Sequence, residues 1–157
     1  MNTNDILYKI QKALNLSQKE ILEAYALESH EMSAEHLDAL LKRHQDKTFQ
    51  HCSYEELGLF LDGLVTLKRG PSPTRSNENE AVELTNNLIL KKLRIALELK
   101  EPETEIIFGL GEVALTKQEL KSLFRKESHK NFKACSDALL MAFLDGLDEF
   151  YYVGDIE

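Results

Sequence analysis

Apolar residues return along this chain at intervals of three and four, the period of a helix that buries one side. Ile6, Ile10, Ala13 and Leu14 form one such stripe, and Ile89, Leu93, Ala96 and Leu97 form another. The strict apolar and polar alternation of a half-buried strand occurs in no segment, so the pattern predicts an all-α fold. Helix starts are marked as well. Ser17 with Glu20, Ser53 with Glu56 and Thr116 with Glu119 have the spacing of a capping box, in which a hydroxyl and a carboxylate each satisfy an otherwise unpaired amide. Ser33 and Ser136 offer simple caps, and Pro102 suits the first turn of a helix. Expected interiors are Ile21, Ala24, Tyr25 and Leu27, then Leu37, Leu40 and Leu41, then Leu57, Phe60, Leu61 and Leu64. Later in the chain they are Ile107, Phe108 and Leu110, then Leu120, Leu123 and Phe124, then Leu140, Phe143, Leu144 and Leu147.

The pattern is written twice, at a constant offset of 83 residues and without gaps. Asn4-Asp5-Ile6-Leu7 answers to Asn87-Leu88-Ile89-Leu90, Phe49-x-x-Cys52-Ser53 to Phe132-x-x-Cys135-Ser136, and Phe60-Leu61-Asp62-Gly63-Leu64 to Phe143-Leu144-Asp145-Gly146-Leu147. This is an internal duplication, and it predicts two tandem, pseudo-symmetric repeats of about four short helices each. The first repeat is expected over residues 1–70, a surface linker rich in Pro, Ser, Asn and Glu over 71–85, and the second repeat with a C-terminal tail over 86–157. Each repeat is near the lower size limit for a domain that folds alone, so the two are expected to share or abut a core. The aromatic tail Phe150-Tyr151-Tyr152-Val153 either packs back on the body or offers a contact to another chain.

A hydrophobic content of 43% supports a packed interior, and a net charge of −8 describes an acidic protein that unspecific nucleic-acid or anionic-membrane binding would not favour. The N-terminus lacks the basic and apolar regions of a secretory leader, and no stretch has the length of a membrane span, so a cytoplasmic protein without membrane contact is expected. Two cysteines set 83 residues apart read as free thiols.

Few residues suggest chemistry. Cys52 and Cys135 can be read as a redox pair, or with His44, His51 and His129 as ligands of a metal at the repeat junction; alternatively they plug the turn between the third and fourth helices. Asp62 and Asp145 lie inside apolar runs, where they either face each other as acid and base or as metal ligands, or else point to solvent or bond a neighbouring helix, with the repeated Lys47 and Lys130 as partners. No phosphate-cradling glycine loop, Gly-x-Ser-x-Gly or His-Glu-x-x-His occurs, and no cofactor is expected.

Charge is partitioned unevenly. Residues 86–133 carry ten Lys and Arg against seven Glu, whereas residues 134–157 carry six acids and neither Lys nor Arg. A basic face is thereby possible, and Lys91, Lys92, Arg94, Lys121, Arg125 and Lys126 are its candidate binding residues, against the alternative of ordinary solvated helix surface. A helix-turn-helix reading of the first repeat fails: the separation of Ser17 from Ser33 is too long for the tight turn, and the third helix opens on Glu35, His36 and Asp38.

Several motifs taken in order, Asn-x-Ile-Leu-x-Lys opening each repeat, Leu-Lys-Lys-Leu-Arg-Ile-Ala-Leu at 90–97, Lys68-Arg69-Gly70, His129-Lys130-Asn131-Phe132-x-x-Cys135 and Phe-Leu-x-Gly-Leu, resemble the small YehS-like bacterial family, catalogued as domain of unknown function 1456. The resemblance implies a tandem-repeat bacterial protein and brings no reaction, cofactor or catalytic residue. The duplicated residues are mainly of core and capping type. The sequence therefore points first to a non-enzymatic helical binding or regulatory module with a protein partner, second to a nucleic-acid-associated protein using the basic segment, and third to a thiol or metal site.

Overall fold

Each predicted cap begins a helix. In the computed structural model, which describes residues 2–70 and 84–152, the helices are α1 (Thr3–Leu14), α2 (Gln18–Leu27), α3 (Ala34–Leu40), α4 (Tyr54–Arg69), α5 (Asn86–Ala96), α6 (Glu101–Leu110), α7 (Lys117–Leu123) and α8 (Asp137–Phe150). Complete capping boxes form at Ser17, Ser53 and Thr116. Ser33 and Ser136 accept from the amides of His36 and Leu139, and Pro102 occupies the first turn of α6. Asn2 and Thr85 cap α1 and α5 in the same way. Among the described residues there is no strand, and no described helix is long and apolar enough to cross a membrane.

The contacts obey the 83-residue offset. Within the first repeat α2 packs on α4, and within the second α6 packs on α8. Between repeats α1 packs on α8 and α4 on α5, two contacts that exchange under the same offset. Each opening helix therefore lies mainly against the closing helix of the other copy, and one cluster of buried side chains runs through both. The ring pairs repeat too: Tyr25 and Phe60 have centroids 6.1 Å apart, and Phe108 and Phe143 have theirs at 5.0 Å. Even the backbone corners recur where the residues do not. Asn15 and Glu98 both have positive φ, as do Ser29 and Glu112, and each pair is 83 residues apart.

Gly63 and Gly146, one in each repeat, fix how closely the helices approach, and Gly111 at the end of α6 adds a third such contact, 2.0 Å from an added Cβ to the carbonyl oxygen of Ala142. A Cβ on Gly63 would lie 1.9 Å from the carbonyl oxygen of Ala24, and one on Gly146 would lie 1.9 Å from that of Ile107, so α4 and α8 touch the backbones of α2 and α6.

The interior is as expected apart from a few positions. Leu27 is 45% exposed, because at about 100° per residue it stands roughly 200° round the helix from Tyr25, which faces α4. Leu41, Leu110 and Phe124 are half-buried. Residues 71–83 of the expected linker and residues 153–157 of the expected tail lie outside the described residues, while Leu84 packs against the core. In the tail, Phe150 and Tyr151 pack against the body and Tyr152 is exposed.

Candidate functional site

Asn4 and Asn87, the first polar pair shared by the two repeats, are engaged inside the fold. Asn4 in α1 donates from Nδ2 to the carbonyls of Leu40 and Gln50 at 2.8 and 2.9 Å, and its Oδ1 accepts from the Cys52 amide at 2.9 Å. Asn87 repeats all three bonds, with Leu123, Lys133 and the Cys135 amide, each at 2.9 Å. One carboxamide thus ties the first helix of each repeat to both ends of the loop that leads into the fourth. This explains why Asn is duplicated together with the distant Phe-x-x-Cys-Ser.

The cysteines belong to that turn. Cys52 and Cys135 are buried, each Sγ lying 3.5 and 3.4 Å from the carbonyl of the following serine. Burial, reinforced by the Glu56 carboxylate in one case and Asp137 in the other, pushes both thiols up to about 12. His44, His51 and His129 are exposed, and no metal-ligating cluster is found among the described residues. From an ordinary value of 9.0, such a shift leaves roughly a hundredfold to a thousandfold less thiolate at neutral pH. Titration with an aromatic disulfide should therefore find both thiols slow in native protein and fast after denaturation.

The duplicated aspartates face the other repeat. Asp145 pairs with Lys9 at 2.9 Å, and Asp62 pairs with Lys92 at the equivalent contact. The partners are the repeated lysines of α1 and α5, not Lys47 and Lys130, which are exposed, and the two aspartates are not paired with each other. The arrangement follows from the exchange of helices: the residue next to each glycine is turned about 100° away from its own repeat and toward the opening helix of the other. Lys12 with Asp148 at 3.6 Å and Arg69 donating to the Ile95 carbonyl at 2.9 Å extend the seam.

The six basic candidates consequently divide. Lys92 has a side chain only 11% exposed and bound to Asp62, so it holds the repeats together and does not present its charge. Arg94 is half-buried, donates from Nε to the Leu99 carbonyl at 3.1 Å, and lays its guanidinium 4.5 Å above the Phe124 ring. Lys91, Lys121, Arg125 and Lys126 are exposed. The Asn87 and Arg94 contacts put the face of α5 that carries residues 87, 91 and 94 against the end of α7 and the residues after it. In the first repeat the equivalent place is an open groove of about 460 Å³ between Asn4, Asp5 and Tyr8 of α1 and residues 40–45.

A polar contact unique to the first repeat lies nearby. His36 bonds Glu56 Oε2 through Nε2 at 2.6 Å and Gln50 Oε1 through Nδ1 at 2.5 Å. With acceptors on both ring nitrogens the arrangement suits the imidazolium, whose two N–H groups both donate. The bond to Glu56, outweighing burial, raises the His36 pKa above 6.5. At Glu56 burial acts against ionisation, but bonds from the Ser53 amide and His36 prevail and its pKa falls below 4.5. The histidine term is present below 6.5 and is lost as pH rises through the elevated value; the carboxylate term is present above 4.5 and is lost as pH falls through the depressed one. Substituting His36→Gln should therefore lower stability most between those two pH values, by about 0.5–1 kcal/mol for a pair this accessible, measured by urea unfolding across a pH series. In the second repeat Lys133 and Glu119, 3.9 Å apart, stand where Gln50 and His36 do.

Comparison with known proteins agrees with this duplicated design. The model of a family described as "Protein of unknown function (DUF1456)" matches residues 3–70 and again 86–151. The "Uncharacterized protein YehS" of Escherichia coli (strain K12) is 33% identical over 147 residues, covering 94% of each chain. No solved structure matches the chain. With both repeats matched separately and a relative aligned over nearly its full length, the chain belongs to the DUF1456 family.

Proposed function

We propose that this protein is a non-enzymatic helical binding module, acting in the bacterial cytoplasm on a protein partner. The observation that carries the reading is a division of labour. Among the residues identical in the two repeats, Asn4 and Asn87 lock loops, Lys9, Lys92, Asp62 and Asp145 seal the seam, and Gly63 and Gly146 allow close helix approach, whereas the equivalent surfaces beside α1 and α5 differ. Tyr8 is replaced by Lys91, Asp5 by Leu88, Asp38 by Lys121 and His44 by Glu127. A duplicated scaffold carrying two unlike faces suits recognition. Thiol catalysis is disfavoured, since both thiols are buried and held up to about 12. The test is affinity capture of the tagged full-length chain, with mass spectrometry and rebinding of each recovered protein in purified form. One partner that rebinds stoichiometrically is expected; none that rebinds would count against the reading.

The exposed Lys91, Lys121, Arg125 and Lys126 favour a second reading, in which this surface meets nucleic acid. Filter binding over a salt series separates the two. With a net charge of −8, wild type is expected to show only weak, steeply salt-dependent retention of oligonucleotides. Salt-resistant, sequence-selective binding would install the second reading.

A further inference from the structure

We propose that the surface between α5 and residues 123–128 docks a short acidic segment of a protein partner, through Lys91, Lys121, Arg125 and Lys126. The inference rests on the binding-module reading and names the chemistry of the partner.

The first repeat shows what this place looks like when its charge is internally balanced. There Asp38 pairs with Lys42 at 3.2 Å, and Asp5 lies 3.8 Å from His44. In the second repeat the basic positions persist, Lys42 and Arg43 becoming Arg125 and Lys126, but the two acids that balance them become Lys121 and Leu88. Tyr8 becomes Lys91 at the same time. With histidine neutral, the set formed by positions 5, 8, 38 and 42–45 carries no net charge, while its counterpart at 88, 91, 121 and 125–128 carries a net charge of +3, four cations against Glu127. All four cations are exposed, and none is in an ion pair among the described residues. Among the described residues the Arg125 guanidinium meets the ring of His129, at 3.4 Å.

Two features favour an acidic peptide over a nucleic acid. The aromatic ring at this place, Phe124, is already covered by Arg94, which leaves no platform for stacking a base. The basic area is also short, four cations on a chain whose net charge is −8, and residues 134–157, which follow it in the chain, contain six acids and no Lys or Arg. A long phosphate backbone would run beyond the four cations into the field of a net acidic protein, whereas a few consecutive carboxylates would not. Leu88, where the first repeat has Asp5, adds a half-buried apolar contact beside the charges.

The experiment is fluorescence anisotropy with the intact protein and four labelled probes: a short peptide of Glu, Asp and Leu, its Gln, Asn and Leu counterpart, a single-stranded oligonucleotide and a double-stranded one. Saturable one-to-one binding of the acidic peptide alone is expected at low salt. The double variant Lys91→Glu/Lys126→Glu should weaken it at least about tenfold, as removal of close charge pairs does at other interfaces. Lys42→Glu/Arg43→Glu in the first repeat should leave it unchanged, with circular dichroism confirming that both variants keep their helices. No saturable peptide binding, equal loss in both double variants, or tighter binding of an oligonucleotide would overturn the proposal. A purified partner that rebinds wild type and the Lys91→Glu/Lys126→Glu protein equally would also overturn it, while leaving the binding-module reading intact.

Discussion

Replacing Gly63 or Gly146 with alanine is expected to destabilise the protein by about 3 kcal/mol or more, and the two changes together to prevent folding. The added methyl would meet backbone, not a side chain that could swing away, since the nearest atoms are the carbonyls of Ala24 and Ile107 at 1.9 Å. Relief requires that α4 leave α2, or α8 leave α6, and each separation opens voids around Tyr25 and Phe60 or Phe108 and Phe143. Gly58 is the internal control. It lies on the same helix as Gly63 with nothing within 4 Å of a Cβ, so Gly58→Ala should stabilise by about 0.5–1 kcal/mol through helix propensity alone. Chemical denaturation of the variants reads all of these effects. A Gly63→Ala protein as stable as wild type would show that α2 and α4 are not in backbone contact.

Asn4→Ala should cost about 3 kcal/mol. It removes two donors and one acceptor at once and leaves the Leu40 carbonyl, the Gln50 carbonyl and the Cys52 amide without their partner, at a place where Asn4 itself is only 3% exposed. Asn4→Asp should be no milder, because it turns a carboxylate toward two carbonyl oxygens. Asn87→Ala should cost less, since Asn87 is half-buried and water can reach part of what it leaves behind. Thermal unfolding followed by circular dichroism checks the order. Native thiol reactivity gives a second readout, because loosening the loop should expose Cys52 in the Asn4 variants and Cys135 in the Asn87 variant.

Helices and their starts were legible in the sequence because both are local: a stripe every three or four residues, a hydroxyl before it and a carboxylate three residues on. What escaped were roles defined by backbone. Asn4 and Asn87 were visible as duplicates, but their partners are main-chain groups that no residue pattern names. The corners at Asn15 and Glu98 share a left-handed conformation without sharing a residue type. Asp62 and Asp145 were correctly singled out as misplaced in an apolar run, yet their partners lie on helices of the other repeat, and only the exchanged packing brings Lys92 and Lys9 to them. The same packing separates Lys92 from Lys91, adjacent letters in the chain with opposite surroundings. Local charge density located the basic segment but could not distinguish a cation sealed in a seam from one facing water.

The pairing of α1 with α8 also bears on how the chain is made. During synthesis from the N-terminus, α1 emerges without the surface it will cover, because α8 follows only after α2 to α7 have been translated. The Ile6, Leu7 and Ile10 stripe must therefore wait, exposed or transiently shielded, while the six helices in between are translated. Contacts spanning so much of the chain also slow the conformational search. Nascent protein truncated before α8 should be a substrate for chaperones or proteases, and completion of the last helix should mark the moment at which it becomes resistant.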